Sequence, residues 1–411
     1  MTNDFTGPSW DLLAIYQHMK DPEIEKDLFK LGELLLEIEG LNQNLSKTKV
    51  DIAQKIFHRL QTSGELFSNL STYAGCLLSV DSGDEGAQGL FGRLQRYRKE
   101  IGSASKPLHE FEALADEDTL DVYFEDELVE QARFSIMHRR QLAPSILSQP
   151  EEQIIEELAQ NGLHAWGNLY NQLSGSIECD VLIGNQTRSM GLAEAAGYMM
   201  DSEDLQRKRA WQAINQSWKV HEESCAAGLN AITGWRLDLC TRRSGKQPVG
   251  YLDSAVHMNK ISSDTLVALL ASAKKSNALA RRAAKLQARA MGKERIGPWD
   301  LRAPAPVLGE VTIQPTSFQR AIELIEGAFA SVDPAMGEFV RMMADNGWIE
   351  GTVSSKKRPG AYCTSFSMSK TPRVYMTYSG STSDVITLAH ELGHALHFWV
   401  MRDMPESQRQ Y

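Results

Sequence analysis

Apolar residues recur at helical spacing along most of the chain, so the sequence predicts a mainly α protein. Within 21–41 they are three or four residues apart, and they follow Asp21 and Pro22, a pair suited to a helix start. The same spacing continues from Asp51 past Tyr73, so residues 1–112 are predicted to form an N-terminal helical region. The positions that define the first of these helices are Ile24, Leu28, Leu31, Leu35 and Ile38.

Later segments add further predicted helices. The stretch from Ser202 to about Thr241 contains no proline and only two glycines, which predicts one long packed helix. Helices are expected to restart at Thr316–Ser317 and at Asp333–Pro334, whereas three prolines make 297–309 irregular.

Two short segments have the pattern of β-hairpins instead. The first lies in 176–191, where Ile177, Val181 and Ile183 indicate a short hairpin. In the second, strands at 361–368 and 373–378 are joined by a turn that contains Pro372. A helix that runs to about Arg402 follows, with Ser383 or Asp384 as its predicted N-cap.

Composition narrows the class of protein. The net charge of −10 and the absence of a long basic run exclude nucleic acid and anionic membrane surfaces as expected partners. No apolar run approaches the roughly 18 residues that span a bilayer. Five scattered cysteines without a CxxC pair favour neither disulfides nor a cysteine metal site. We therefore expect a cytoplasmic protein.

The last predicted helix contains the sequence HELGH at 390–394. Residues four apart share one helix face, so His390 and His394 can bind one Zn²⁺ ion per chain. Glu391 is turned about a quarter of a circle away, where it can take a proton from a water held by the metal. The motif predicts zinc-dependent peptide hydrolysis with Glu391 as general base. The competing interpretation is a solvent-facing helix with two ordinary histidines.

Neighbouring residues give weaker signals for a third zinc ligand. A metzincin would have Gly at position 397 and His at position 400, but the chain has His397 and Val400. His397 is expected to pack or to contact a ligand rather than bind metal. Glu406 would need a chain reversal to reach the site. Cys363 is predicted to be a small buried residue rather than a nucleophile.

Several segments together resemble the oligoendopeptidase F branch of the thimet oligopeptidase family of zinc metallopeptidases. They are ITLAHELGHALH (386–397), KKRPGAYCTSF (356–366), VYMTYSGSTSDV (374–385), SWDLLAIY (9–16) and PWDLRAPAP (298–306). In the last, Trp299 replaces the usual tyrosine beside Asp300. The resemblance extends from about residue 9 to the end of the chain.

The resemblance implies a multi-helical, clam-like zinc peptidase fold whose small β-hairpin lies beside the HExxH helix. It implies short peptides as substrates, with main-chain contacts from Gly360, Ala361 and Tyr362; a plain turn into a strand is the alternative for these residues. It implies three regions, at 1–112, 113–200 (the oligoendopeptidase F N-terminal type) and 201–411 (catalytic).

The family's third zinc ligand is a glutamate some twenty residues or more after the second histidine. By this resemblance the ligand is expected beyond residue 411, and the chain is expected to be a C-terminally truncated piece of a longer enzyme. Two hypotheses follow: a zinc metalloendopeptidase acting on short oligopeptides, or a truncated or catalytically inactive peptide-binding scaffold of the same fold. Peptide preference and oligomeric state are left open.

Overall fold

The computed structural model describes residues 6–46, 48–245, 247–304, 306, 315–354, 357 and 360–409, without the side chains of residues 149 and 193. The chain divides into two compact units. The first unit comprises residues 1–140 and 313–411, and the second unit comprises residues 141–312. Both are built mainly from helices, as predicted from the apolar spacing.

The first unit contains nine described helices and a small sheet. The helices are α1 (Pro22–Asn42), α2 (Val50–Val80), α3 (Glu85–Leu114), α4 (Glu117–Tyr123), α5 (Glu127–Gln131), α6 (Arg133–Arg140), α14 (Phe318–Ala330), α15 (Pro334–Asp345) and α16 (Thr382–Val400). The strands are β3 (Ile349–Glu350), β4 (Tyr362–Phe366) and β5 (Thr371–Tyr375), in the spatial order β3-β5-β4.

Three predicted helix starts in this unit, those of α1, α14 and α15, are confirmed. Asp21 caps α1 by accepting a hydrogen bond from the Glu23 main chain, and Pro22 occupies the first helical position. Ser317 and Asp333 cap α14 and α15 in the same way. The apolar faces of α1, α2 and α3 then pack into two apolar clusters, because each helix presents its apolar residues on one side.

The sheet lies against α14, α15 and α16. Val374 of β5 is fully buried and belongs to the same apolar cluster as Val340 of α15 and Leu388, Leu392 and Ala395 of α16. Strand β5 pairs with β3 in parallel and with β4 in antiparallel register. This packing fixes β4 and α16 next to each other.

The second hairpin is confirmed, but its predicted turn is wrong. Pro372 lies within β5, opposite Ser365, rather than in the connection. The Val374 N–H points to β3, where it donates to the Trp348 carbonyl, so the nitrogen of residue 372 points to the same side. Since β3 pairs only with residues 374 and 375, a missing N–H at position 372 breaks no ladder bond.

The second unit contains seven described helices and a two-stranded sheet. The helices are α7 (Gln149–Ala159), α8 (Ala165–Ser176), α9 (Leu192–Gly197), α10 (Asp204–Lys219), α11 (Glu222–Arg243), α12 (Asp253–Met258) and α13 (Ser263–Ala290). The strands β1 (Glu178–Ile183) and β2 (Gln186–Gly191) form the antiparallel hairpin predicted at 176–191. Their apolar side packs on α10 through a cluster that includes Cys179, Val181 and Ala210.

The single long helix predicted for 202–241 is wrong. The chain forms α10 and α11, which are separated by a turn at Val220 and His221. His221 leaves the helical conformation with φ −104° and ψ 8° and becomes the N-cap residue of α11. No proline or glycine marks this break, so the apolar spacing on either side could not reveal it.

The predicted regions at 1–112, 113–200 and 201–411 follow family boundaries and stay a prediction, since the compact units divide the chain differently. The expected irregular segment at 297–309 contains a 3₁₀ turn at Pro298–Asp300, and residues 305 and 307–309 lie outside the described part. Across the described residues, no helix is both long enough and apolar enough to cross a bilayer.

Candidate metal and peptide site

The HELGH sequence lies in the middle of α16, whose start is held by a reciprocal cap. The Ser381 hydroxyl accepts from the Asp384 N–H at 3.1 Å, and the Asp384 carboxylate accepts from the Ser381 N–H at 3.1 Å. Asp384 also accepts from the Ser379 N–H at 2.9 Å. The predicted cap at Ser383 or Asp384 is therefore corrected: Ser381 is the N-cap and Asp384 is the third helical residue.

His390 and His394 converge as the spacing predicted. Their Nε2 atoms are 3.2 Å apart, and the two ring planes are nearly perpendicular, at 86°. His390 is exposed and His394 is half-buried, so both rings are accessible from the same side of α16.

The distance between the two nitrogens fits a zinc ion. Two ligands of a tetrahedral zinc at about 2.0–2.1 Å each are roughly 3.3 Å apart. The imidazole pair therefore has the donor atoms and the separation that a shared Zn²⁺ needs. This geometry is the observation that supports a metal at the site.

A third protein ligand is not found in the part of the chain that the structure describes. No group of three or more His, Cys, Asp or Glu side chains there could hold a metal ion. Glu406 instead pairs with Arg409 at 2.5 Å. His397 is exposed and lies three residues beyond His394, on a neighbouring side of α16. Among the described residues, His390 and His394 are therefore the pair that can bind the metal.

Glu391 is buried beside the imidazole pair, with 7% of its surface exposed. Burial raises the pKa of its carboxyl group, and the electrostatic interaction with His390 and His394 opposes this shift. The side chain nevertheless lines a cavity of about 630 Å³ in the first unit, together with His394. A carboxylate in this position can receive a proton from a water molecule in the cavity.

Strand β4 forms one wall of this cavity and is an edge strand. The N–H groups of Val374 and Met376 donate to carbonyl groups of Trp348 and Glu350, on the β3 side. Because successive residues of a strand face opposite sides, the main-chain groups of Arg373 and Tyr375 face β4. In the observed register these two residues oppose Thr364 and Tyr362. By alternation, the main-chain groups of Cys363 and Ser365 face away from β5, along the free edge.

The residues predicted to bind peptide have different positions. Ala361 and Tyr362 line the cavity. The main chain of Tyr362 faces β5, its ring stacks on Tyr375 with centroids 4.9 Å apart, and its hydroxyl donates to Ser79 at 2.9 Å. Gly360 is exposed and has φ 109°, a left-handed conformation that favours glycine.

Cys363 is half-buried: it packs against the apolar cluster of the sheet and α16, and it also lines the cavity. Burial raises the pKa of its thiol, and the carboxylate of Glu391 raises it further. The thiol form is therefore favoured, which agrees with the prediction that Cys363 is not a nucleophile.

Other cavity residues could not be identified from the sequence. Ser68 and Thr72 come from α2, and the end of the cavity away from Glu391 is formed by Lys370, Arg402 and Arg409. Ser68 is almost 300 positions from Ser367, yet their hydroxyl groups are 2.8 Å apart. No local motif marks these residues, because only the packing of α2 against β4 and the segment after α16 brings them together.

A mainly helical protein with a buried glutamate between two converging histidines on one helix has the arrangement of a zinc-dependent peptidase. Comparison with known families agrees. Residues 198–409, more than half of the chain, match peptidase family M3, and residues 113–178 match the oligopeptidase F family. The chain belongs to peptidase family M3, in its oligopeptidase F branch. Family M3 is zinc-dependent.

Individual relatives are distant in sequence. Oligopeptidase PepF of Bacillus subtilis (strain 168) is 22% identical over 375 residues, which cover 89% of this chain and 55% of the relative. The chain thus spans about half the length of this relative.

The fold is shared with solved structures. A crystal structure described as a peptidase from Chlamydophila abortus superposes with a TM-score of 0.77 at 18% identity, covering 98% of this chain and 67% of the other. One described as an oligoendopeptidase F from Bacillus anthracis str. Ames gives a TM-score of 0.64 at 16% identity, covering 92% and 66%. These similarities confirm the predicted mainly α peptidase fold.

Proposed function

We propose that this chain supplies the zinc- and peptide-binding part of a metalloendopeptidase that hydrolyses short oligopeptides. The observation that carries the proposal is the 3.2 Å separation of the His390 and His394 Nε2 atoms beside the buried Glu391. The placement of these groups in a cavity walled by an edge strand adds a surface for a peptide.

The histidines and the glutamate would have separate roles. His390 and His394 would hold the zinc ion, which when bound supplies Lewis acidity for the water and for the scissile carbonyl. Glu391 accepts the proton that the attacking water loses and donates it to the departing amine. Because α16 is capped and packed, all three side chains are held on one rigid element.

The peptide backbone would lie along the free edge of β4. The main-chain groups of Cys363 and Ser365 face this edge, so they can pair with an extended peptide as an added strand. Ala361 extends the same side by alternation, whereas Tyr362 contributes its ring to the wall. Main-chain pairing of this kind binds peptides of varied sequence.

The proposal is tested with metal-free protein, one equivalent of zinc and a quenched fluorescent oligopeptide. Zinc is expected to restore hydrolysis, and Glu391→Gln is expected to lower the rate at least about a hundredfold while zinc still binds. Hydrolysis that survives in Glu391→Gln would contradict the assigned mechanism. His397→Ala is the matched control, since it removes a neighbouring imidazole of α16.

A second candidate is a peptide-binding scaffold without catalytic activity. It is favoured by one observation: the described residues contain no group of three metal ligands. This candidate predicts that peptides bind with or without zinc and that zinc restores no hydrolysis. The same experiment therefore separates the two functions.

A further inference from the structure

A basic cluster closes the end of the cavity away from Glu391. It consists of Lys370 in the β4–β5 turn and of Arg402 and Arg409 after α16. The carboxylates near this cluster are Glu406, which also lines the cavity, Glu65 of α2, and Asp403, which is mostly solvated. Of these three cations, Arg409 is paired at contact distance with a largely buried carboxylate, that of Glu406.

The Arg409 side chain is engaged in contacts within the protein. Its side chain is 10% exposed, and its Nη2 atom is 2.5 Å from the Glu406 carboxylate. Its Nη1 atom donates to the Ser367 carbonyl at 3.4 Å, and its buried Nε atom has no hydrogen-bond partner among the described residues. The Arg409 side chain is therefore held in a fixed position at the end of the cavity, and Glu406 largely neutralises its charge.

Arg402 is held in place but keeps donors available. Its guanidinium lies 4.3 Å from the Trp399 ring centroid, and Nη1 donates to the Trp399 carbonyl at 2.7 Å. Asp403 is 3.7 Å from Nε and is mostly solvated, so this pair is weak. Within the described part of the chain, Nη2 of Arg402 has no hydrogen-bond acceptor.

Lys370 is the second available cation. It is exposed, adopts a left-handed backbone conformation with φ 56°, and forms no ion pair with the described residues. Its charge lowers the pKa of Glu65, although burial of Glu65 has the larger, opposite effect. Lys370 therefore adds positive charge to the cavity without being neutralised at contact distance.

We propose that Arg402 and Lys370 form a subsite that binds a carboxylate of the peptide substrate. A guanidinium fixed by a ring and a carbonyl, with free N–H groups, suits a carboxylate better than any neutral group. The inference rests on the proposed function, because it assigns specificity to the peptide that lies along β4.

Two elements give similar distances from the reacting bond to this subsite. The end of α16 at Val400 is six residues beyond His394, or roughly 9 Å along the helix axis, and Arg402 follows two residues later in a turn. Cys363, which lies beside Glu391, is four residues before Ser367 at the charged end, or roughly 13 Å along an extended chain. An extended peptide covers this distance in about four residues, so the carboxylate belongs about four residues from the scissile bond.

The carboxylate has two possible sources, which depend on the direction of the peptide. A peptide parallel to β4 brings its C-terminal carboxylate to the subsite. A peptide antiparallel to β4 brings an acidic side chain on the amino-terminal side of the scissile bond. Both sources offer the same ligand chemistry to Arg402 and Lys370.

The test measures binding of fluorescein-labelled peptides to the chain by anisotropy, without added metal and with zinc. Three peptides of one backbone are compared: a neutral C-terminal amide, its free acid, and an amide with one aspartate moved along the amino-terminal half. The free acid or the peptide with aspartate at about the fourth position is expected to bind about tenfold more tightly than the neutral peptide. Which of the two binds more tightly identifies the source.

Arg402→Gln and Lys370→Gln are each expected to abolish this difference while leaving binding of the neutral peptide unchanged. Lys370→Gln changes an exposed side chain, so it keeps the test valid if Arg402→Gln misfolds. Arg320→Gln is the matched control, since Arg320 lies on α14 in an exposed pair with Glu323. The proposed subsite is contradicted if the three peptides bind with equal affinity, or if both variants weaken the binding of all three peptides equally.

The outcome is separable from that of the proposed function. Charge-dependent binding without hydrolysis would support the subsite and contradict the proposed peptidase function. Zinc-dependent hydrolysis with no dependence on Arg402 or Lys370 would support the peptidase function and contradict the subsite.

Discussion

At the scale of single residues, the role of a side chain is decided by what surrounds it. The Nε2 atoms of His390 and His394 are close enough to bind one ion, whereas His397 lies on another side of the same helix. Asp300 illustrates the same point in the second unit. It belongs to the segment 298–306, and its partners give it a structural role rather than a chemical one.

Asp300 is fully buried and fully paired. It accepts hydrogen bonds from Arg207 at 2.8 Å, from Lys293 at 2.8 and 2.9 Å and from the Gly297 N–H at 2.8 Å. Its carboxylate ties the 3₁₀ turn at Pro298–Asp300 to α10 and to the end of α13. Trp299 donates its indole N–H to Asp204 at 3.2 Å in the same network.

Asp300→Asn is expected to destabilise the second unit by about 3–5 kcal/mol at pH 7, because it leaves buried cations without their counter-charge. Burial alone would raise the pKa of Asp300, but Arg207 and Lys293 outweigh burial and hold this pKa below its ordinary value. The carboxylate therefore contributes its full stability above about pH 4, and the contribution is lost as the pH falls through the folded-state pKa.

Urea unfolding followed by tryptophan fluorescence at pH 7 and near pH 3 measures this effect. The difference between wild type and Asp300→Asn should shrink at the lower pH. Asp204→Asn is the control, since Asp204 shares the same cations but is half-exposed and should cost less than about 1 kcal/mol. Equal losses in both variants would contradict the account.

At the scale of elements, the site depends on how α16 begins. Gly380 has φ 91°, and a Cβ atom there would be 3.0 Å from the Thr316 carbonyl oxygen and 3.2 Å from Pro315 Cβ. The Gly380 carbonyl accepts from the Thr316 N–H at 2.9 Å. Glycine thus allows the segment before α14 to lie directly against the start of α16.

Gly380→Ala is expected to destabilise the first unit by about 1–3 kcal/mol, because alanine adds both a close contact and left-handed strain. Gly327→Ala in α14 is the matched control: its Cβ atom meets nothing within 4 Å, so it should stabilise the helix by a few tenths to 1 kcal/mol. Thermal unfolding by circular dichroism measures both. An unchanged midpoint for Gly380→Ala would show that the segment adapts freely.

At the scale of the whole molecule, zinc should link the site to the stability of the first unit. A ligand at a hundred times its dissociation constant stabilises the folded state by about 2.7 kcal/mol. We therefore expect excess zinc to raise the unfolding midpoint of the chain by about 5 °C or more, and a chelator to reverse the rise. His390→Ala should abolish this response and His397→Ala should preserve it.

Differential scanning calorimetry with and without zinc checks the prediction. A rise that persists in His390→Ala would place the metal elsewhere in the chain. A rise lost equally in His397→Ala would make His397 a ligand and would correct its assignment as a neighbouring residue.

The sequence by itself determined what depends on near neighbours along the chain. The helix starts at Asp21, Ser317 and Asp333 follow from local capping, and the convergence of His390 and His394 follows from helical periodicity. These features need only a few consecutive residues to define their geometry. The strong resemblance at 386–397 likewise concerns one continuous segment.

Only the tertiary structure decided the remaining features. It split 202–241 into two helices, placed Pro372 inside β5, and brought Ser68 of α2 to within 2.8 Å of Ser367. It also turned the main chain of Cys363, rather than that of Tyr362, towards the free edge of β4. The physical reason is that strand register, burial and long-range contacts depend on partners far away in the sequence, whose positions are set when the core packs.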